Sequence, residues 1–141
     1  MSRFTVLGFE SNSVYMKIER FEDIEGWKLG RQICHEIFQL AEAGGLGRDF
    51  SLKDQMFRSS GSIMDNVAEG FDSGGNREFM RFLQYAKRSC SEVQSQLYRA
   101  MDRKYCTEAR FNELYELARL ARSKIGAFIK YLSQHADKRS T

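Results

Sequence analysis

The chain has 141 residues, 42% of them hydrophobic, and no proline; this suits one domain with its own core and excludes a disordered chain. Long periodic segments without proline point to helices and away from a turn-rich β fold. The formal charge of +3 hides an asymmetry: residues 1–74 carry 8 Lys/Arg against 12 Asp/Glu, and residues 75–141 carry 14 against 7, so the back half suits an anionic partner or an unlike surface of another copy.

Residues 1–20, MSRFTVLGFESNSVYMKIER, have no helical period and no good cap. The segment reads as an extension: a short strand, an arm or disorder. Met16 opens the natural-looking start MKIERFEDIEGW, so the first fifteen residues also read as an upstream start. A domain is expected over 21–136, followed by a basic tail over 137–141. The first helix is expected over about 22–43, with Ile33, Ile37, Leu40 and Ala41 on one stripe flanked by Trp27, Cys34 and Phe38. Glu22, Asp23 and Glu25 crowd its first turn, where negative charge favours the helix dipole, and AGGLG stops it. The second helix is expected over about 52–71, with Ser51 as cap, Asp54 three residues on, and Leu52, Met56, Ile63 and Val67 as its stripe. DSGGN separates it from a third helix over about 77–104, whose stripe holds Phe79, Phe82, Leu83, Ala86, Cys90, Val93, Leu97, Ala100 and Met101. The fourth, over about 108–135, follows the cap Thr107 and aligns Leu114, Leu117, Ala118, Ala121, Ile125, Phe128, Ile129 and Leu132. Four amphipathic helices with short connections predict an all-α, antiparallel up-and-down four-helix bundle.

Cys34, Cys90 and Cys106 are odd in number and widely spaced, without a CxxC pair. They read as free thiols in a reducing cytoplasm, and no zinc site is expected. No apolar run approaches the roughly 18 residues of a membrane span, and the N-terminus makes a poor signal peptide.

The stretch SIMDNVAEGF, Ser62 to Phe71, looks chemical but lacks partners for chemistry. Asp65 and Glu69 stand four residues apart on one helix face. The histidines, His35 and His135, form no ExxH pair and no serine–histidine–acid set. Ser59, Ser60, Gly61 and Ser62 are poor helix formers and make sense where another helix approaches closely. The glycines of AGGLG and SGGN lack the P-loop lysine and read as helix punctuation. No catalytic residue, cofactor or metal is assigned.

The informative constellation is on the third helix. With Arg77 as origin at about 100° per residue, Arg81, Arg88, Arg99 and Arg103 fall within about 80° of it, opposite a core stripe near about 200°. Arg119, Arg122 and Lys130 add an outward basic face on the fourth helix. A solvated face and a contact to a polyanion or a subunit both fit this pattern. Arginine forks suit phosphate. Tyr98, Tyr115 and Tyr131 lie at stripe edges, where partly exposed rings suit an interface or base stacking.

RFEDIEGWKLGRQI, SLKDQMFRSSGSIMDNVAEGFD and NREFMRFLQYAKRSCSEVQSQL together resemble the four-helix bundle proteins encoded in intervening sequences of bacterial 23S ribosomal RNA genes, over about residues 20–132. A proline that often follows Ser-Ile in that family is Met64 here, which should leave the second helix straighter. The resemblance implies a homopentameric ring and a distant relation to accessory proteins of diversity-generating retroelements, which resemble basic scaffolds for a reverse transcriptase and nucleic acid. It implies no catalytic residues. Trp27, Ser62, Asn66, Glu69 and Gly70 then read as a packing and interface signature. The resulting expectation is a cytoplasmic, non-catalytic bundle without membrane contact that binds structured RNA or DNA through the basic face. The alternative is a protein scaffold that uses this face for assembly or for a protein partner.

Overall fold

The computed structural model describes residues 4–7 and 15–135, with side chains from Ile18 onward; the basic tail expected over 137–141 lies outside the described residues. Two strands, β1 (Phe4–Leu7) and β2 (Tyr15–Ile18), pair antiparallel with Phe4 opposite Ile18 and Leu7 opposite Tyr15. The extension therefore contains a hairpin ahead of the helices. Its FTVL and YMKI runs mix β-branched and aromatic residues without a helical period, which favours the pleated form.

Four helices follow: α1 (Glu25–Glu42), α2 (Phe50–Phe71), α3 (Asn76–Asp102) and α4 (Glu108–Gln134). Helix α1 packs on α2 and α4, and α3 packs on the same two, which gives an up-and-down four-helix arrangement. The expected stripes point inward. Ile33 and Ile37 of α1, Met56 and Ile63 of α2, Leu83 and Leu97 of α3, and Ile125 and Leu132 of α4 are all buried. Phe79 sits between layers, edge-on to Phe128 at 5.4 Å and to Phe71 at 6.2 Å. Met64 leaves α2 continuous from Phe50 to Phe71.

The helix boundaries depart from the sequence reading for local reasons. Glu22 and Asp23 are outside α1, in a 3-10 turn over Phe21–Asp23. The Asp23 carboxylate accepts from the backbone N–H of Glu19 at 3.0 Å and of Arg20 at 3.3 Å, which closes that turn. Bonds to the Glu19 and Arg20 N–H groups, with the Arg20 charge, hold its carboxyl below the usual range. Helix α2 starts earlier than expected because Asp49, not Ser51, is its cap: Asp49 Oδ1 accepts from Leu52 N–H at 3.3 Å. Ser51 instead accepts from the Gln55 side chain at 3.3 Å. Thr107 caps α4 as expected, accepting from Arg110 N–H at 3.1 Å.

Helix α3 ends in a Schellman motif. Tyr105 N–H donates to Ala100 C=O at 2.8 Å, and Lys104 N–H donates to Met101 C=O at 2.9 Å. Lys104 adopts the left-handed conformation at φ 62°, where a Cβ crowds the following carbonyl. Tyr105 then folds back so that its hydroxyl donates to Asp49 Oδ2 at 2.7 Å, beside the Arg103 guanidinium at 2.7 Å. Asp49 thereby caps α2 and ties it to the end of α3.

Lys104→Gly should raise the stability of the chain by about 0.5–1 kcal/mol, read as a higher urea midpoint with an unchanged slope. The Tyr105 hydroxyl, then Leu52 N–H, then Arg103 hold the Asp49 carboxyl below its ordinary value. A lowered folded-state value means this stabilisation is present above the unfolded value and is lost as pH falls through the folded one. Asp49→Asn keeps a capping side chain but removes the charge. It should be less stable than the parent at neutral pH, and the gap should close below about pH 4, as read in paired urea melts across pH.

Candidate functional site

Mid-helix serines are explained by what lies across from them. Ser89 Oγ of α3 donates to Ser62 Oγ of α2 at 2.9 Å, and Gln96 Nε2 donates to Ser59 Oγ at 2.9 Å. Further along, Arg99 Nη2 donates to Gln55 Oε1 at 2.8 Å, and Arg103 reaches Asp49. As α2 is followed from Asp49 to Ser62, its partners run backward along α3 from Arg103 to Ser89, as an antiparallel pair requires. Ser59, Ser60, Ser89 and Gln96 are buried, so the part of the seam around Ser59 and Ser62 is shielded from water, while the Arg99–Gln55 and Arg103–Asp49 ties are exposed.

The signature block divides by face. Ser62 and Gly70 turn to α3. Asn66 stays on its own helix, donating to the Ser62 carbonyl and hydroxyl, each at 2.8 Å. At Gly70 a Cβ would lie 2.8 Å from Phe79 Cδ1 and 2.8 Å from Phe82 Cβ, so glycine sets the approach of α3. Trp27 packs on Phe21 at 5.4 Å, with the Arg31 guanidinium 5.9 Å from its ring. Asp65 and Glu69 are exposed and have no ion pair among the described residues. They line an open groove of about 370 Å³ with Phe57, Arg58 and Gly61. Gly61 has no neighbour within 4 Å of a built Cβ. Beside it, Phe57 faces the half-exposed Phe38 at 6.3 Å.

The arginine stripe also divides. Arg99 and Arg103 are turned to α2 in the seam. Arg81 is held within α3, bonded to Glu78 and to the Tyr85 hydroxyl at 3.0 Å, over the rings of Phe82 and Tyr85. Arg119 donates to Glu116 at 2.7 Å. The remaining members, Arg77, Arg88, Arg122 and Lys130, are exposed and have no ion pair among the described residues. Arg88 lies 5.7 Å from the Tyr85 ring centre. Between α3 and α4, Lys87 joins Arg119 and Arg122 along an open groove of about 500 Å³. Lys87 and Gln94, which lines the same groove, were missed in the sequence because they fall at the edge of the α3 core stripe.

Chemistry-bearing side chains elsewhere have ordinary settings. Cys34 Sγ donates to Met64 Sδ at 3.7 Å. Burial pushes the Cys90 thiol up to about 12, which makes it unreactive. His135 stacks on Tyr131 at 4.2 Å, with Nδ1 2.9 Å from the Tyr131 carbonyl. No group of three or more His, Cys, Asp or Glu able to hold a metal occurs among the described residues. No helix there is long and apolar enough to cross a membrane.

A family model for the 23S rRNA-intervening sequence protein matches residues 22–127. Among solved structures, the chain is similar to a protein of unknown function from the S23 ribosomal protein family of Bacteroides thetaiotaomicron. The two share 18% identity over 74% of this chain and 98% of that one, with a TM-score of 0.69, a likeness of fold. Comparison with curated proteins finds no match.

The two glycines of α2 should respond in opposite directions. Gly70→Ala, wedged against Phe79 and Phe82, should lower stability by about 1–2 kcal/mol. Gly61→Ala should raise it by about 0.5–1 kcal/mol, the ordinary gain for a helix interior. Denaturant melts of both variants would measure the contrast.

Proposed function

The chain belongs to the 23S rRNA-intervening sequence protein family, and for it we propose a non-catalytic, self-associating cytoplasmic bundle that binds structured RNA or another nucleic acid through the basic face of α3 and α4. One observation carries this reading: Arg77, Arg88, Arg122 and Lys130 stand exposed without ion pairs among the described residues, in the half of the chain that holds 14 Lys/Arg against 7 Asp/Glu. Unpaired guanidinium groups on a rigid helix are well placed to take phosphate oxygens in their planar forks. Binding would release counter-ions and follow helix shape, with little base reading on paired RNA. The non-catalytic part of the reading is supported by how the signature is used: Ser62 is held by Ser89 and Asn66, and Gly70 lies under Phe79 and Phe82.

The outer face of α2 favours a second reading, as a protein scaffold. Gly61 sits in a helix interior with open space above it, Asp65 and Glu69 lack ion pairs among the described residues, and the Phe38–Phe57 pair lies beside them. A neighbouring subunit of a ring, such as the homopentamer the family resemblance implies, or a partner such as a reverse transcriptase would cover such a face.

Arg77→Gln, Arg88→Gln and Arg122→Gln combined should weaken binding of a labelled structured RNA. The slope of log K against log salt should become shallower by about two to three, in proportion to the phosphate contacts removed. An unchanged slope rejects this face as the RNA site. Loss of the assembly in sedimentation, with RNA binding intact, favours the scaffold reading.

A further inference from the structure

The groove between α3 and α4 holds more than charge. Its floor includes Gln94, which is only 6% exposed, lines the groove, and has no hydrogen bond to its amide among the described residues. Among the described residues the fully buried side-chain polar atoms without a partner belong to Asn76 and Gln96; the Gln94 amide opens to the groove, where an occupant can pair with its donor and acceptor. Around it stand Lys87, Arg119 and Arg122, with the Ser123 hydroxyl and the ring of Tyr115. Of these cations only Arg119 has an ion pair among the described residues, with Glu116. The groove is open and spans about 500 Å³.

Two further features give the groove its shape. Gly126 of α4 lies under the Lys87 side chain, and a Cβ there would meet Lys87 Cε and Nζ at 3.8 Å, an ordinary contact. Packing within the chain therefore does not require glycine at this position, and a longer side chain would occupy the groove. Tyr115 is the aromatic side chain of the lining; Tyr98, 48% exposed, lies edge-on to it at 5.8 Å and braces the ring from outside the groove.

We infer that this groove is a pocket for one unpaired nucleotide of an RNA strand. Lys87 and Arg122 take its phosphate, the Tyr115 ring packs against its base, and the Gln94 amide pairs with the base edge. An amide offers both donor and acceptor, which bases also do. Phosphate alone would make no use of the Gln94 amide or of the Tyr115 ring. A paired base cannot serve, because its edge is engaged and the deep, narrow groove of A-form RNA shuts side chains out. Stacking on aromatic side chains contributes about 1–3 kcal/mol per base. The inference rests on the reading of this face as nucleic-acid binding and adds what it selects: bulges, loops and single strands over continuous duplex.

The experiment compares a labelled RNA hairpin carrying one bulged nucleotide with the same hairpin fully paired, using the full chain, with adenosine monophosphate as competitor. The bulged hairpin should bind at least tenfold tighter. Gln94→Leu and Gly126→Gln should each remove that preference while leaving the salt slope for the fully paired hairpin and the helical circular dichroism unchanged; agreement of the two variants separates groove loss from a local packing fault. Equal, salt-dependent binding of the two hairpins overturns the pocket and leaves the basic-face reading standing. Absence of binding to either hairpin at low salt overturns both. Displacement by the mononucleotide at concentrations comparable to the hairpin overturns the assignment to RNA, since the site would then be one for a free nucleotide.

Discussion

Hydrogen bonds across the α2–α3 seam have to be made by side chains on two helices that run in opposite directions. A shift of one helix by a single turn, about 5.4 Å, would break all of them together. Asp49 with Arg103, Gln55 with Arg99, Ser59 with Gln96, and Ser62 with Ser89 therefore act as one register device. An apolar seam would pack almost as well one turn displaced, whereas a buried serine or glutamine without its partner carries the cost of an unmet polar group. The seam is closed at one end by the Asp49 cap and at the other by Gly70, where Phe79 and Phe82 come too near for any Cβ.

With α2 and α3 placed, the outer helices follow. Gly30 of α1 faces Met64, where a Cβ would lie 3.0 Å from the backbone nitrogen, and Gly26 faces Ile125 of α4. Arg110 of α4 then pairs with Glu36 of α1, a link at the edge of a layer already set by packing. The polar ties are thus concentrated between the two middle helices, and the α1 contacts rely on small residues and apolar stripes.

The same placement divides the basic surface into two populations. Arginines inclined toward α2 become part of the fold: Arg99 bonds the neutral Gln55 side chain and Arg103 pairs with Asp49. Other cations, Lys87 of α3 with Arg119 and Arg122 of α4, line a concave surface that includes Gln94 and the Tyr115 ring. A stripe that looks uniform on a helical wheel divides into arginines that meet α2 and arginines such as Arg77 and Arg88 that stay exposed, because a wheel records the angle of a residue and not which helix stands beside it.

The four helices, their inward stripes and the Thr107 cap were legible in the chain itself, because a 3.6-residue period and a capping hydroxyl are local properties. So was the close helix approach at Ser62 and Gly70, since small residues in mid-helix permit such contact. The Asp49 cap was not legible: Ser51 is an equally good local candidate, and the Tyr105 and Arg103 contacts that favour Asp49 come from residues more than fifty positions away. The same holds for the hairpin register and for the groove of Lys87, Gln94 and Arg122. The amino-acid order determined which faces are apolar and where charge accumulates. The packing of four helices decided which polar side chains meet and which stay open to a partner, because those distances arise only when separate helices lie side by side.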